Sequence, residues 1–218
     1  MKIFLDTANI EEIKRAYETG IVDGVTTNPS LLSQDANDPI EHVKKIAEIV
    51  KGPVSVEVTA TKKEEMIVQG KSIAEISPYI VVKIPLTEDG ISATYELAKQ
   101  GIKVNVTLIF SPSQALLAMK AGAEYISPFI GRLDDISQNG INLISDILKI
   151  KENYKFSSKI LAASIRHPVH FAEVAKAGAD VATVPPKIFW QLFKHPLTDS
   201  GLKKFLEDWN AKFKNGIK

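Results

Sequence analysis

Eight short apolar runs, each followed by a stretch of helical periodicity, limit this chain to very few folds. The runs are Lys2–Asp6, Gly24–Asn28, Pro53–Val58, Tyr79–Ile84, Lys103–Ile109, Tyr125–Ile130, Lys159–Ile165 and Asp180–Val184. They are rich in β-branched residues and bounded by turn formers, as buried strands are. The segments between them read as amphipathic helices. From Ile40 to Val50, for instance, Ile40, Val43, Ile46, Ala47 and Val50 form one stripe. Ser111-Pro112 opens another helix over Ser113–Ala121, with serine as cap and proline in the first turn. Gly20, Gly101, Gly122 and Gly178 close helices.

Strand–helix alternation implies a parallel sheet with right-handed crossovers. Eight strands in 218 residues close most economically as an α/β protein of one kind, a single (β/α)8 TIM-type barrel domain spanning 1–218. An open doubly wound sheet is the alternative, but no G-x-G-x-x-G follows the first strand. The longest interval between strands, Arg132 to Tyr154, is expected to hold a turn and a helix from about Asp135 to Lys151. A further helix, Thr198–Lys214, lies beyond the barrel, with Leu202, Phe205, Leu206, Trp209 and Phe213 as its apolar stripe. It either packs across the barrel's own helices or meets a second subunit.

Composition narrows the function classes. A net charge of +1 supplies no basic field for nucleic acid or an anionic membrane. Aromatic residues, at 7%, are not interleaved with basic ones, so single-stranded nucleic acid is not expected. The absence of cysteine excludes disulfides, thiolate metal sites and cysteine nucleophiles. Of the four histidines, His167 and His170 are close in sequence, and no H-E-x-x-H occurs; these two are expected on the helix after the seventh strand, not on a metal. No apolar run of 18 residues is present, and Lys2-Ile3-Phe4-Leu5 is no signal-peptide core, so a cytoplasmic location is the default expectation.

Barrel enzymes carry their chemistry at the C-terminal ends of the strands, and the polar residues of this chain gather there. The strands supply Asp6, Thr26 and Asn28, Glu57, Lys83, Asn105 and Thr107, Ser127 and Phe129 followed by Arg132, and Ser164 and Arg166. Period-two alternation puts Thr26 with Asn28, Asn105 with Thr107, Ser127 with Phe129, and Ser164 with Arg166 on common faces. Each residue also has an ordinary explanation. Asp6 could cap the helix starting near Asn9, Asn28 could be a turn residue before proline, Glu57 a charged edge, and Arg132 and Arg166 surface ion-pair partners.

Lys83 is the pivotal member. It lies inside Ile80-Val81-Val82-Lys83-Ile84-Pro85, a run that reads as a buried strand. Burial disfavours an ammonium and favours a free amine, which can attack a carbonyl and form a Schiff base. The alternatives are a lysine that snorkels to the strand end or pairs with an acid. Around a nucleophilic amine the other residues make chemical sense. Glu57 can move protons, directly or through a water held by Thr107, and Asp6 can remove a hydroxyl proton. Asn28, Asn105 and Ser127 suit sugar hydroxyls, whereas Arg132, Arg166 and Ser164 suit a phosphate dianion.

Two motifs carry a family resemblance. Asp23-Gly24-Val25-Thr26-Thr27-Asn28-Pro29-Ser30-Leu31-Leu32 and Ile80-Val81-Val82-Lys83-Ile84-Pro85-Leu86-Thr87 resemble the two signatures of the transaldolase/fructose-6-phosphate aldolase family. Phe4-Leu5-Asp6-Thr7-Ala8, Asn105-Val106-Thr107-Leu108-Ile109-Phe110 and Ser127-Pro128-Phe129-Ile130-Gly131-Arg132 are similar to further family segments, so the likeness runs over essentially the whole chain.

The resemblance implies a barrel whose Lys83 forms an imine with C2 of a ketose while Asp6 takes the C4 hydroxyl proton. Glu57, with Thr107 and a water, handles the protons of imine formation. Asn28, Asn105 and Ser127 would hold the three-carbon unit, with Thr26 and Phe129 beside them, and Arg132, Ser164 and Arg166 the sugar phosphate. The aldolases of the small-subunit branch have glutamine where this chain has Glu57 and tyrosine where it has Phe129, so both positions imply transaldolase chemistry. The implied reaction moves dihydroxyacetone from sedoheptulose 7-phosphate to glyceraldehyde 3-phosphate in the pentose phosphate pathway, without cofactor or metal. Small members form pentamers or decamers in which the C-terminal helix crosses to a neighbour. An aldolase releasing free dihydroxyacetone and, more distantly, a non-catalytic phosphosugar-binding barrel remain as alternatives.

Overall fold

A computed structural model describes residues 1–213. Its strands are β1 (Lys2–Asp6), β2 (Gly24–Thr26), β3 (Val54–Glu57), β4 (Ile80–Pro85), β5 (Val104–Ile109), β6 (Tyr125–Pro128), β7 (Lys159–Ala162) and β8 (Val181–Val184). All pairings are parallel, and β8 pairs back onto β1 to close the ring. The helices are α1 (Ile10–Tyr17), α2 (Pro29–Asp35), α3 (Pro39–Val50), α4 (Lys63–Ala74), α5 (Glu88–Lys99), α6 (Pro112–Lys120), α7 (Ile130–Asp134), α8 (Gly140–Tyr154), α9 (Pro168–Ala177), α10 (Pro186–Gln191) and α11 (Pro196–Lys212). The fold is therefore the (β/α)8 barrel with an extra C-terminal helix. None of the helices described is long and apolar enough to cross a membrane.

Two faces of one sheet divide the work. Outward residues such as Leu5, Val25, Val82, Ile84, Val106 and Ile126 pack with Ile13, Ile46, Leu97, Ile144 and Val174 of the surrounding helices. Burying each such side chain contributes roughly 1.5–3 kcal/mol, so this layer between sheet and helices holds the barrel shut. Inside, Phe4, Val81, Tyr125, Leu161 and Val181 form a separate apolar cluster. Register partners face the same side of a sheet. Above Phe4 on the inner face come Asp6 opposite Thr26, Thr26 opposite Ser55, Glu57 opposite Lys83, and Lys83 opposite Asn105. The interior is thus apolar toward the strand N-termini and polar toward their C-termini.

Several helix starts follow from the sequence. Asn9, Asn28 and Ser111 accept hydrogen bonds from backbone N–H groups three residues on, at 3.0, 2.9 and 3.3 Å, each worth about 1 kcal/mol. Gly178, at φ +98°, ends α9 in the left-handed conformation that glycine adopts without a Cβ clash.

Differences from expectation lie at element ends. β2 stops at Thr26, two residues early, because Asn28 leaves the sheet to cap α2. β6 stops at Pro128, although Phe129 retains a bridge to Ala163. β7 stops at Ala162, and Ser164 takes a left-handed φ of 60°. The helix expected from about Asp135 to Lys151 is α8, which starts later, at Gly140, and runs on to Tyr154; the short α7 precedes it. Ser137 at φ 63° breaks the path between them, and Asn139 caps α8 through Ile141 N–H at 3.1 Å. α11 starts at Pro196, two residues before the expected Thr198, because His195 caps it through Leu197 N–H at 3.2 Å. Lys214, the last residue of the expected helix, lies outside the described residues.

Candidate active site

Lys83 points from β4 into the polar half of the barrel and is buried. Its Nζ lies 2.9 Å from Oε2 of Glu57 on β3 and donates to the carbonyl of Thr27 at 3.0 Å. Among the alternatives open in the sequence, the resting amine takes the paired one, with an acid, and does not snorkel out. The side chains of Lys83 and Glu57 are 6% and 14% exposed, so the pair is largely sealed from solvent. A buried ion pair is weak support for stability, since desolvating two charges offsets most of their attraction. At this distance a carboxylate can exchange a proton with an amine, which is the chemistry the pair makes available.

Below and beside the amine the inner face carries a hydrogen-bonded layer. Ser127 Oγ donates to Asn105 Oδ1 at 2.7 Å, and Asn105 Nδ2 donates to Ser55 Oγ at 3.2 Å. Both Asn105 and Ser127 are buried. Thr107, one pleat above Asn105, is also buried, and its Oγ1 has no hydrogen-bond partner in the protein. A buried unsatisfied hydroxyl costs about 1–3 kcal/mol, so it is the kind of group that functional sites retain. The next residue, Leu108, has φ 59° in a bulge where the β5–β6 register shifts. Such strain in a non-glycine residue, next to a site residue, fits the habit of bulges to re-aim side chains.

Asp6 stands across the mouth. Thr26 Oγ1 donates to its Oδ1 at 2.8 Å and meets Thr183 Oγ1 at 2.7 Å. Burial of its carboxyl group raises the Asp6 pKa above the usual 3.8, although Lys83, the Thr26 hydroxyl and Arg132 each pull it down. Asp6 does not cap α1; Asn9 does.

A cavity of about 180 Å³ opens at the strand C-termini, lined by Asp6, Thr26, Asn28, Lys83, Ser127, Phe129, Arg132, Ser164 and Arg166. Nine of the residues singled out in the sequence therefore share one wall-to-wall space. Asn105 and Thr107 lie outside this lining. Glu57 instead borders a larger, mainly apolar groove of about 510 Å³ between α2, α3 and α4. The larger space holds none of the other chemistry-bearing residues, so the smaller mouth is the candidate site. Asn28 is both a capping residue and part of that mouth.

The two arginines reach the rim by routes that strand alternation did not foresee. Arg132 rides on α7, its guanidinium 4.9 Å from the centre of the Phe129 ring. Leu161 and Ala163 belong to the inner cluster, so strict alternation would turn Ser164 outward. The left-handed turn at Ser164 resets the phase and brings both Ser164 and Arg166 to the mouth. Arg166 Nη2 also donates to Asp135 at 2.8 Å, with both side chains half exposed; the ion-pair alternative thus holds for Arg166 alongside its place on the rim.

Three residues in the hydrogen-bonded surroundings of the mouth are not among those the sequence singles out for its chemistry. Thr183 and Ser55 complete the hydroxyl network, and alternation along β8 and β3 would have found them, because Thr183 lies two residues from inward Val181 and Ser55 two from Glu57. His170 was set aside as a helix residue. It does lie on α9, with His167 as the N-cap, but it also contacts Asp134 on α7. Among the described residues, no group of three or more His, Asp or Glu side chains could hold a metal ion.

Comparison with known proteins identifies the family. The chain matches the Transaldolase/Fructose-6-phosphate aldolase family across residues 3–217. It is 54% identical to a probable transaldolase of Thermodesulfovibrio yellowstonii, over 96% of this chain and 98% of that one. It is 55% identical to a probable transaldolase of Moorella thermoacetica, over 99% and 100%. It is 56% identical to probable transaldolase 1 of Listeria monocytogenes, over 97% and 99%. A solved thiamine phosphate pyrophosphorylase from Pyrococcus furiosus superposes with a TM-score of 0.60 over 86% of this chain and 87% of that one; at 16% identity it shares the fold alone. By its match over nearly the whole length and by these identities, the chain belongs to the transaldolase/fructose-6-phosphate aldolase family of enzymes.

Proposed function

We propose that this enzyme is a transaldolase working through a Lys83 Schiff base. The observation that carries the proposal is the contact between Lys83 Nζ and Glu57 Oε2 at 2.9 Å, beside the mouth that Asp6 and the two arginines share. Glu57 takes a proton from Lys83, and the free amine attacks C2 of a phosphorylated ketose. Loss of water from the carbinolamine needs an acid, which Glu57 now supplies, with Thr107 holding a water. Asp6, made more basic by burial, removes the C4 hydroxyl proton as C3–C4 breaks. The protonated imine receives the electron pair and becomes an enamine of dihydroxyacetone. Asn28, Asn105 and Ser127 hold that unit, with Thr26 and Phe129 beside it, while Arg132, Ser164 and Arg166 hold the phosphate. The enamine then attacks the incoming aldehyde, and hydrolysis frees Lys83.

The substrates are sedoheptulose 7-phosphate and glyceraldehyde 3-phosphate, giving erythrose 4-phosphate and fructose 6-phosphate reversibly, a step of the pentose phosphate pathway. Phe129 has no hydroxyl with which to protonate the enamine, so the three-carbon unit waits for an acceptor. The 218 residues act as one catalytic domain in the cytoplasm. Leu202, Phe205 and Leu206 of α11 are exposed, which supports assembly as a pentamer or decamer with α11 crossing to a neighbour. Borohydride reduction with fructose 6-phosphate, followed by mass spectrometry, tests the chemistry. A reduced adduct on the Lys83 peptide is expected, and its absence would refute the imine. Fructose 6-phosphate should be consumed with erythrose 4-phosphate present and hardly at all without it; equal rates would favour an aldolase.

A further inference from the structure

The rim arginines belong to two separate segments, one after β6 and one after β7, and the backbone ties these together. Ile130 N–H donates to Ala163 O and Gly131 N–H to Ser164 O, both at 3.1 Å. Residue 131 has no space for a side chain: a Cβ there would lie 2.2 Å from Ser164 O and 2.6 Å from Arg166 Cγ. Behind this contact, outside the lining of the mouth, lies the imidazole of His170 on α9.

His170 is 7% exposed, and both ring nitrogens are engaged. Nδ1 accepts the backbone N–H of Arg166 at 3.3 Å, and Nε2 lies 2.6 Å from Oδ2 of Asp134, the last residue of α7. A nitrogen that accepts a backbone N–H carries no proton of its own, so the ring is neutral with its hydrogen on Nε2, donated to Asp134. Asp134 is fixed in turn, since its Oδ1 accepts Gly140 N–H at 2.8 Å at the start of α8. His167 accepts the backbone N–H of His170 at 3.2 Å and stacks on its ring at 3.8 Å. One buried ring therefore joins the backbone of Arg166 to the helix that carries Arg132.

We propose that His170, acting with Asp134, is a positioning residue that sets the spacing of Arg132 and Arg166 and so determines the grip on the phosphate of the substrate. The inference rests on the phosphosugar reading of the mouth. His170 touches no substrate and takes part in no bond change.

Two conservative variants divide the links. His170→Asn keeps an acceptor at the Nδ1 position toward Arg166 and loses the donor to Asp134; His170→Gln keeps a donor toward Asp134 and loses the acceptor. The readouts are KM for erythrose 4-phosphate with fructose 6-phosphate as donor, inhibition by inorganic phosphate, and borohydride trapping of Lys83 with unphosphorylated dihydroxyacetone. In each variant, KM and the phosphate inhibition constant should rise about tenfold, while kcat and trapping stay within about twofold. If either histidine variant does not fold, Asp134→Asn carries the same measurements, because it preserves shape and turns an amide donor toward Nε2–H. Values within about twofold of wild type in every folded variant would overturn the positioning role. So would a loss of trapping that parallels the rise in KM. A wild-type enzyme that traps dihydroxyacetone on Lys83 but is not inhibited by phosphate would instead refute the phosphosugar reading.

Discussion

Glu57 and Lys83 are register partners on adjacent strands, and their side chains meet at 2.9 Å inside the barrel. Parallel pairing places two neighbouring Cβ atoms on one face, so the sheet itself delivers acid and amine to each other. The two should be separable by mutation. Lys83→Met should yield no borohydride adduct and lose activity on the order of 10⁴-fold or more. Glu57→Gln should still form the adduct, with trapping and turnover slowed roughly 10²–10⁴-fold, the usual contribution of a general acid–base. Rapid-quench trapping distinguishes these outcomes.

Asp6 predicts a trade between stability and activity. Its folded pKa is raised above 3.8, so the native state binds more protons than the unfolded state over the interval between the two values. Stability attributable to Asp6 therefore falls as pH rises through that interval, and ionised Asp6 is a net cost at neutral pH. Asp6→Asn should raise Tm at pH 7, with the gain vanishing below about pH 3.8, while cleavage activity drops. Thermal unfolding at the two pH values checks the sign. Thr26→Val, which removes a hydrogen bond that lowers this pKa, should move the acid limb of the kcat profile upward.

His170 gives the opposite dependence. Burial and His167 lower its pKa below 6.5, against the raising influence of Asp134 and Glu173. The unfolded state then binds the extra proton, so the stability contributed is present above pH 6.5 and declines as pH falls through the folded value. Denaturant titrations from pH 8 to pH 5 should show this loss, and His170→Gln should flatten it.

Phe129→Tyr would add a phenol to the cavity that Lys83 lines, beside the enamine of the proposed mechanism. Fructose 6-phosphate consumption without acceptor should increase, with free dihydroxyacetone detected by an enzyme-coupled assay. No increase would mean that a second group controls protonation.

At the apolar end, Gly24 faces Phe4. A Cβ there would lie 2.6 Å from Pro53 O and 2.7 Å from the Phe4 ring. Gly24→Ala should cost about 1–3 kcal/mol by overpacking, measurable by urea denaturation.

Much of this arrangement was legible because strand periodicity is strict. Once Lys83 is taken as inward, Val81 must be inward too, and it packs with Phe4 and Tyr125 inside the barrel. The same rule extends to Ser55 and Thr183. Legibility failed where the backbone left regular geometry. Nothing in the side chain of Ser164 or Leu108 announces a left-handed residue; for Ser164 the neighbouring segment contributes, with Gly131 N–H donating to its carbonyl. Likewise Asp134 and His170 lie far apart in sequence, on helices that follow the paired strands β6 and β7.

The floor and the rim of the mouth are built from different parts of the chain. Lys83 and Ser127 are strand residues inside the hydrogen-bonded ring, whereas Arg132 and Arg166 stand on the connections that follow β6 and β7 and are exposed. Exchange of those connections would leave the ladder of the sheet untouched. A protein engineer, or natural drift, can accordingly retune which aldehydes are accepted by grafting new loops, while the carbon-bond chemistry is inherited unchanged.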